Sequence, residues 1–599
     1  MADRRRPGDI PDAIGAGGKA QIRWVRAELF CALVAALALV PFHTFAQDVS
    51  SQAGPATPTI ASTSASTSGG PPAFLASAPI AEQPFPLTGG GALTQGTNAG
   101  GGHGPAQPAF LLNGAVDLAE GYTTNAEGSS GSSPDTFTRG SLALGLHYAG
   151  PRLQADLHYS LTGYYYDQFH NLNQLQNHLN LVAQSVLVPN HLFFNMNAFA
   201  APAALSRIGP LSSGQASPSN TNNSNTYGYI AEPVYQMRLG DYAVSQTSLS
   251  ESQVFFSQPL QSSTTSALPF VPAGNSTSTS AVERITSTPY FGRLAWDLTG
   301  SYTDTQQTSQ TIQQSQGTVD IAYAFDRMIA VLATAGYGQF TASVPLTQNL
   351  SGPVALGGAR LSYGPTFSLI AEAGVTNNFP TYLGSLKWNV TPRFDVVGSL
   401  KDAITTPQAN IVNNLSTFAL SPERFFYDSQ PSQPTGGQAL FPQLATVSPV
   451  PMLGLALDNS INRDQSAHLA FLHHDERTGY GLTFFGDIRN QLNVTPETIQ
   501  PNSWLYGVSL NATHQLRHDL TGYAGVSYSV ASEFGGQDRI ITVNAGLSYK
   551  LAKNLYSYLT ASYLQRQSSG ETLTNVPFFT NGPLTDFTTI IGIRRTFGP

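Results

Sequence analysis

The sequence predicts an all-β protein, a large antiparallel transmembrane β-barrel of about 22 strands (range 18–24) behind an export signal and a disordered linker. Three observations predict it. Only 11% of the 599 residues are charged and 41% are hydrophobic, while Gly (56), Phe (32) and Tyr (25) are abundant. A typical soluble domain carries about 25% charged residues. A two-residue hydrophobic period recurs over long stretches. Short and long connections between these stretches alternate.

The composition also excludes other classes. No apolar run approaches the roughly 20 residues of a membrane helix. The net charge of −8 argues against a nucleic-acid partner, and a single Cys rules out a disulfide scaffold.

Residues 1–46 read as a signal peptide. Arg4, Arg5, Arg6, Lys19, Arg23 and Arg26 form a basic region, Leu29 to Val40 is apolar, and Thr44-Phe45-Ala46 supplies a cleavage site before Gln47. Cys31 lies inside this segment and would leave with it. Residues 47–108 are rich in Ala, Ser, Thr, Pro and Gly and carry only Asp48 and Glu82 as charges. Such a stretch buries too little apolar surface to offset its chain entropy, so it reads as a disordered linker in the periplasm.

The barrel reads from 109 to 597. Leu153, Ala155, Leu157, Tyr159, Leu161, Gly163 and Tyr165 alternate with Gln154, Asp156, His158, Ser160 and Thr162. Trp504 to Ala512, Leu520 to Val530 and Ile541 to Tyr549 repeat the pattern. Alternate side chains of a strand face opposite sides. The stretches match the roughly 9–11 residues of a tilted membrane strand, not the roughly 5–6 of a globular one.

Short turns are expected at Gly150-Pro151, Pro189-Asn190, Gly240-Asp241, Asp326-Arg327, Gly364-Pro365, Thr391-Pro392, 517–519 and 552–554. Long loops are expected at 202–225, 257–278, 341–353, 491–502 and 567–584. Aromatic residues near strand ends, among them Tyr122, Tyr148, Tyr165, Phe256, Tyr302, Phe340, Trp388, Trp504 and Tyr549, read as interfacial girdles. Residues 406–463 form the longest irregular stretch, a candidate constriction or cap, with room for an extra hairpin near Leu453 to Ile461.

The chain ends on an alternating strand with Gly592 five positions before Phe597. This is similar to the C-terminal signal read by the barrel assembly machinery, although Arg595 and the trailing Gly598-Pro599 depart from it.

Catalytic patterns are absent: no Gly-x-Ser-x-Gly elbow, no Walker loop, no His-Glu-x-x-His. The run His473-His474-Asp475-Glu476-Arg477 falls in an expected turn. Adjacent histidines on a strand point to opposite faces, so it reads as a solvated turn and not a metal site. No cofactor is called for. Charges on the polar strand faces give the candidate lumen lining: Asp156, Arg293, Asp297, Asp320, Lys387, Asp395, Lys401, Asp487 and Arg489. Mixed signs there imply a water-filled lumen without strong ion selectivity.

Val116-Asp117-Leu118-Ala119-Glu120-Gly121-Tyr122-Thr123-Thr124-Asn125 resembles the first strand of the outer-membrane β-barrels associated with PEP-CTERM and exopolysaccharide loci. The Leu153–Tyr166 strand and the stretch from Leu457 through Arg489-Asn490 are similar to theirs. The resemblance spans about residues 110–597 and rests mostly on strand grammar. It implies an outer-membrane location in a Gram-negative bacterium and a role near polysaccharide export or surface assembly. It carries no catalytic residues.

The expectation is therefore a non-enzymatic, porin-like channel or export-associated barrel. Its partners would be outer-membrane lipid, the barrel assembly machinery, and polar solutes or polysaccharide. The alternative is an outer-membrane hydrolase whose rim site is not visible in sequence. A plugged TonB-type receptor is disfavoured because 47–108 lacks the composition of a folded plug.

Overall fold

The computed structural model describes residues 110–598, apart from 129–130, 151, 205–222, 257–274, 309, 365, 407, 410–459, 476, 494–501, 534–535 and 570–582. The expected signal, the linker, the export cleavage site and the extra hairpin from Leu453 onward lie outside the described residues, Ser460 and Ile461 excepted.

The alternating stretches form twenty-two strands in one sheet. They are β1 (Phe110–Thr123), β2 (Asp135–Ala149), β3 (Leu153–Tyr166), β4 (Gln174–Val188), β5 (Leu192–Ala204), β6 (Asn223–Leu239), β7 (Ala243–Phe256), β8 (Ser276–Ser287), β9 (Leu294–Gln307), β10 (Thr311–Ala324) and β11 (Ile329–Ala342). The second half comprises β12 (Gly352–Tyr363), β13 (Phe367–Thr376), β14 (Phe379–Thr391), β15 (Phe394–Thr405), β16 (Asn462–His474), β17 (Thr478–Gln491), β18 (Asn502–Arg517), β19 (Leu520–Glu533), β20 (Gly536–Ala552), β21 (Leu555–Ser569) and β22 (Leu584–Phe597).

Each strand pairs antiparallel with the next, and β22 pairs with β1 from Gly114↔Phe597 to Thr123↔Thr588. Closure leaves no strand of the sheet without a neighbour on each side.

The two faces differ as the alternation requires. Leu118 and Ile591 are 62% and 63% exposed, and their outward row continues through Leu142, Leu510, Val526 and Leu559. In water such a surface would aggregate; against lipid it is the stabilising face. The other face carries Asp117, Arg139, Asp297, Asn544 and Thr588, all buried. The fold is that of an outer-membrane β-barrel.

The turns after even-numbered strands are all short, and Asn190, Gly240, Gly364 and Asn554 take positive φ there, the conformation in which Gly and Asn are least penalised. The expected long loops all fall on the opposite rim. That rim also holds three tight hairpins, β9–β10, β13–β14 and β19–β20, so long and short connections are mixed there.

The inner wall shows a recurrent joint. Glycines sit directly opposite aromatic rings on the next strand: Gly121↔Phe137, Phe199↔Gly228, Phe485↔Gly507, Tyr523↔Gly546 and Tyr558↔Gly592. A Cβ on any of these glycines would come within 2.6 Å of the facing ring. The ring thus lies flat over its partner strand and covers the backbone that glycine leaves bare.

The long-loop rim is not level. Pairing of β11 with β12 ends at Gly338↔Gly352, and pairing of β14 with β15 ends at Gly384↔Leu400. The upper ends of β10–β11 and β15–β16 therefore rise above a notch over β12–β14. They close it with a buried cluster of Ile312, Phe340, Leu350, Ile461 and Leu492, against which Phe379 and Ile404 pack. Thr347 N–H donates to the Leu492 carbonyl at 2.8 Å, and Leu346 bridges to Asn493. Phe340 is thus an inward core residue and not part of a girdle, because strand parity turns it away from lipid. Phe256 likewise falls on the inward register, opposite Thr226. Of the long stretch at 406–463, residues 406, 408 and 409 are described at its start: Gln307 Nε2 donates to Gln408 Oε1 at 3.0 Å, drawing this segment back to the β9–β10 turn.

Candidate functional site

The candidate site is the inner wall. Strand parity places Asp156, Asp297, Asp320, Lys387, Asp395, Lys401, Asp487 and Arg489 at inward positions, each paired in register with another inward residue. Arg293 is the exception. The 3-10 turn Pro289–Phe291 and Gly292, at φ 64°, end the connection one residue before β9, so Arg293 lies exposed at the short-turn rim instead of on the wall.

The inward charges form local sets more than one continuous ring. Asp156 Oδ1 lies 2.5 Å from His147 Nδ1. Asp297 holds the Arg284 guanidinium and accepts the hydroxyls of Thr286 and Thr299, both at 2.9 Å. Asp320 accepts the Thr334 hydroxyl at 2.5 Å. Arg489 lies 3.3 Å from Asp487 and 3.7 Å from Asp464. Lys387 is exposed, and Lys401 and Asp395 are half-buried.

The largest set lies where the ends of the barrel meet. Asp117, 3% exposed, is 3.3 Å from Arg139 and 3.2 Å from Arg594. The Tyr558 hydroxyl donates to Asp117 at 2.8 Å and accepts from Arg139 at 2.6 Å. Both guanidiniums also lie over the Tyr558 ring, 5.9 and 5.4 Å from its centroid. One carboxylate thus ties β1, β2, β21 and β22 together. Gly592 makes this possible: a Cβ there would sit 2.4 Å from the Tyr558 ring. Higher on the seam, Asp586 accepts the Thr123 hydroxyl at 2.7 Å. Phe597 ends β22 on the outer face, 48% exposed, opposite Gly114.

Asp117, Arg139, Arg594 and Tyr558 escaped the sequence reading because two lie in β1 and β2 and two near the C-terminus. Only closure brings them together. The available signal was their inward parity on strands that flank the termini.

The sequence rule that charge keeps to the inner face also has exceptions. Glu283 faces outward on β8, where Ser245 and Thr247 donate to it at 2.6 and 2.5 Å. It borders an outer groove of about 460 Å³ floored by Gly300 and Gly317 and walled by Tyr302 and Tyr337. Hydroxyl donors on the neighbouring strand offset part of the loss of hydration that an outward carboxylate suffers.

His473 stacks on Tyr480 at 4.5 Å, and Asp475 pairs with Arg393 at 3.2 Å, so this run serves the β16–β17 turn. Glu476 lies outside the described residues. Among the described residues no three His, Cys, Asp or Glu side chains are grouped to hold a metal.

Residues 478–575, covering β17 to β21, match the family described as "Putative beta-barrel porin 2". No curated protein matches the chain. Among solved structures, the chain is similar to the siderophore receptor PirA from Pseudomonas aeruginosa, at 9% identity over 82% of this chain and 81% of that one, with a TM-score of 0.36. It is also similar to the ferripyoverdine receptor of the outer membrane of Pseudomonas aeruginosa, at 10% identity over 82% and 72%, TM-score 0.42. A third is the FrpB iron transporter from Neisseria meningitidis, at 10% identity over 81% and 82%, TM-score 0.37. Identity this low carries no substrate across. The class defined by the fold and the partial family match is a porin-like outer-membrane β-barrel.

Proposed function

We propose that the protein is a non-enzymatic channel for polar solutes, including glycans, in the outer membrane of a Gram-negative bacterium. The short turns and the N-terminal linker would face the periplasm, and the long loops would face outward. The observation that carries this reading is the two-faced wall: apolar side chains outward, and charged, amide and hydroxyl side chains inward around a closed sheet. Such a wall replaces the hydration of a polar solute, whereas a barrel that served only as an anchor would have no need of it. Glycans suit the same lining because half-buried inward amides such as Asn389 and Asn511 can bond hydroxyl groups. The family resemblance to exopolysaccharide-associated barrels supports this solute class. Lipid covers the outer face, and the strand ending at Phe597 is offered to the assembly machinery.

The test is planar-bilayer conductance of the purified full chain, with oligosaccharides added as blockers. Stepwise conductance that oligosaccharides reduce is the expected result. A folded barrel, shown by heat-modifiable gel migration, that passes no ions would refute the channel.

A further inference from the structure

Inward charges are not spread evenly along the barrel axis. Near the short turns, Arg238 of β6, Arg360 of β12, Lys387 of β14 and Lys550 of β20 occupy inward register positions within the last turnward residues of their strands. None of them has a carboxylate within ion-pair distance among the described residues. Arg238, Lys387 and Lys550 are exposed, and Arg360 Nε donates to the Ser362 hydroxyl at 2.9 Å. Of the acids at the same end, Asp156 lies against His147 and Asp297 against Arg284, while Asp320 is held only by the Thr334 hydroxyl and keeps its charge, so that with Arg284 five cations face four carboxylates there once Asp395 is counted. Asp395 also lies at this end, one residue above its turn.

The other end has the opposite balance. Asp464 and Asp487 share Arg489. Asp586 is held by the hydroxyls of Thr123 and Thr588, and Asp135 by the backbone N–H groups of Gln168 and Phe169. Their negative charge exceeds what Lys401 and Arg489 offset there, and Arg566 is already matched by Asp538.

We propose that Arg238, Arg360, Lys387 and Lys550 form a basic collar at the short-turn mouth, that the long-loop half is acidic, and that the lumen is therefore an electrically polarised pore drawing anionic solutes in through the short-turn mouth. The proposal rests on the channel reading above. Fixed charges of one sign concentrate ions of the other within a Debye length of the wall, about 10 Å at 0.1 M salt and about 3 Å at 1 M. With the two signs in series, one voltage polarity fills the lumen with both ions and the other empties it. Current is therefore larger when the long-loop side is positive, since cations then enter by the acidic mouth and anions by the basic one.

The experiment is single-channel current–voltage recording of the full chain in KCl. At about 0.1 M the current at opposite voltages differs by roughly 1.5- to 3-fold, and the difference fades at about 1 M. Combined Arg238→Glu, Lys387→Glu and Lys550→Glu substitutions abolish the asymmetry and shift the reversal potential in a KCl gradient toward cation preference. Heat-modifiable migration confirms that the variant has folded. Should it fail to fold, the milder Lys387→Gln with Lys550→Gln pair is expected to reduce the asymmetry measurably. An open channel with symmetric current at low salt overturns the collar and leaves the channel reading standing, as does asymmetry unchanged in the folded variants. A folded barrel without conductance overturns both.

Discussion

The seam between β22 and β1 and the rim above β12–β14 both require closure, and they achieve it by opposite means. At the seam the backbone ladder is complete over ten register pairs, from Gly114↔Phe597 to Thr123↔Thr588, and a buried polar set centred on Asp117 sits across it. At the rim the ladders stop, and strands that are not neighbours meet through the apolar side chains of Ile312, Phe340, Leu350, Ile461 and Leu492. Hydrogen bonds and ion pairs fix register and angle, so they suit a join that must be made in one way. Hydrophobic contact is non-directional, so it suits a join between strands of unequal height. The seam determines whether there is a barrel; the rim determines how wide its long-loop mouth is.

Removing the centre of the seam set breaks this contrast most forcefully. Asp117→Ala leaves the buried Arg139 and the half-buried Arg594 guanidiniums without their shared carboxylate, and a loss of about 3–5 kcal/mol in barrel stability is expected, read as the urea midpoint of heat-modifiable migration. An unchanged midpoint would mean that the ladder alone holds the seam. At the rim, Phe340→Ala costs about 3–5 kcal/mol locally by opening a cavity, but the barrel stays closed. Limited proteolysis should then cut within 343–351 while the gel shift persists; global unfolding would show that the rim is part of the barrel's stability and not an addition to it. The smallest effect is expected from Gly592→Ala. The new methyl group displaces the Tyr558 ring from the seam set and costs about 1–3 kcal/mol, and the further change Tyr558→Phe should then be milder than in the wild-type background. Additive effects of the two changes would separate Gly592 from the seam set.

Much of the barrel was legible in the sequence. Period-two alternation fixes which side of each strand meets lipid, and so Asp156, Asp297, Asp320, Lys387, Asp395, Lys401, Asp487 and Arg489 were assigned to the inner wall by parity alone. Arg293 failed because parity says nothing about where a strand begins; the Pro289–Phe291 turn and Gly292 decided that. Phe340 failed because an aromatic residue near a strand end looks the same in sequence whether it faces lipid or core. Glu283 was not singled out by the sequence, because its Ser245 and Thr247 partners lie on the neighbouring strand, in a register that sequence does not show.

What the sequence determined by itself is thus everything local: strands, faces, turn chemistry, and a strand number near 22, each set by residues within a few positions of one another. What only the tertiary structure decided is everything that needs two distant segments at one place. Asp117 meets Arg594 because the sheet closes, Gly592 acquires its purpose because Tyr558 lies over it, and Gln307 meets Gln408 because a loop turns back. Arg238, Arg360, Lys387 and Lys550 share one mouth because register, not sequence spacing, sets their height along the barrel.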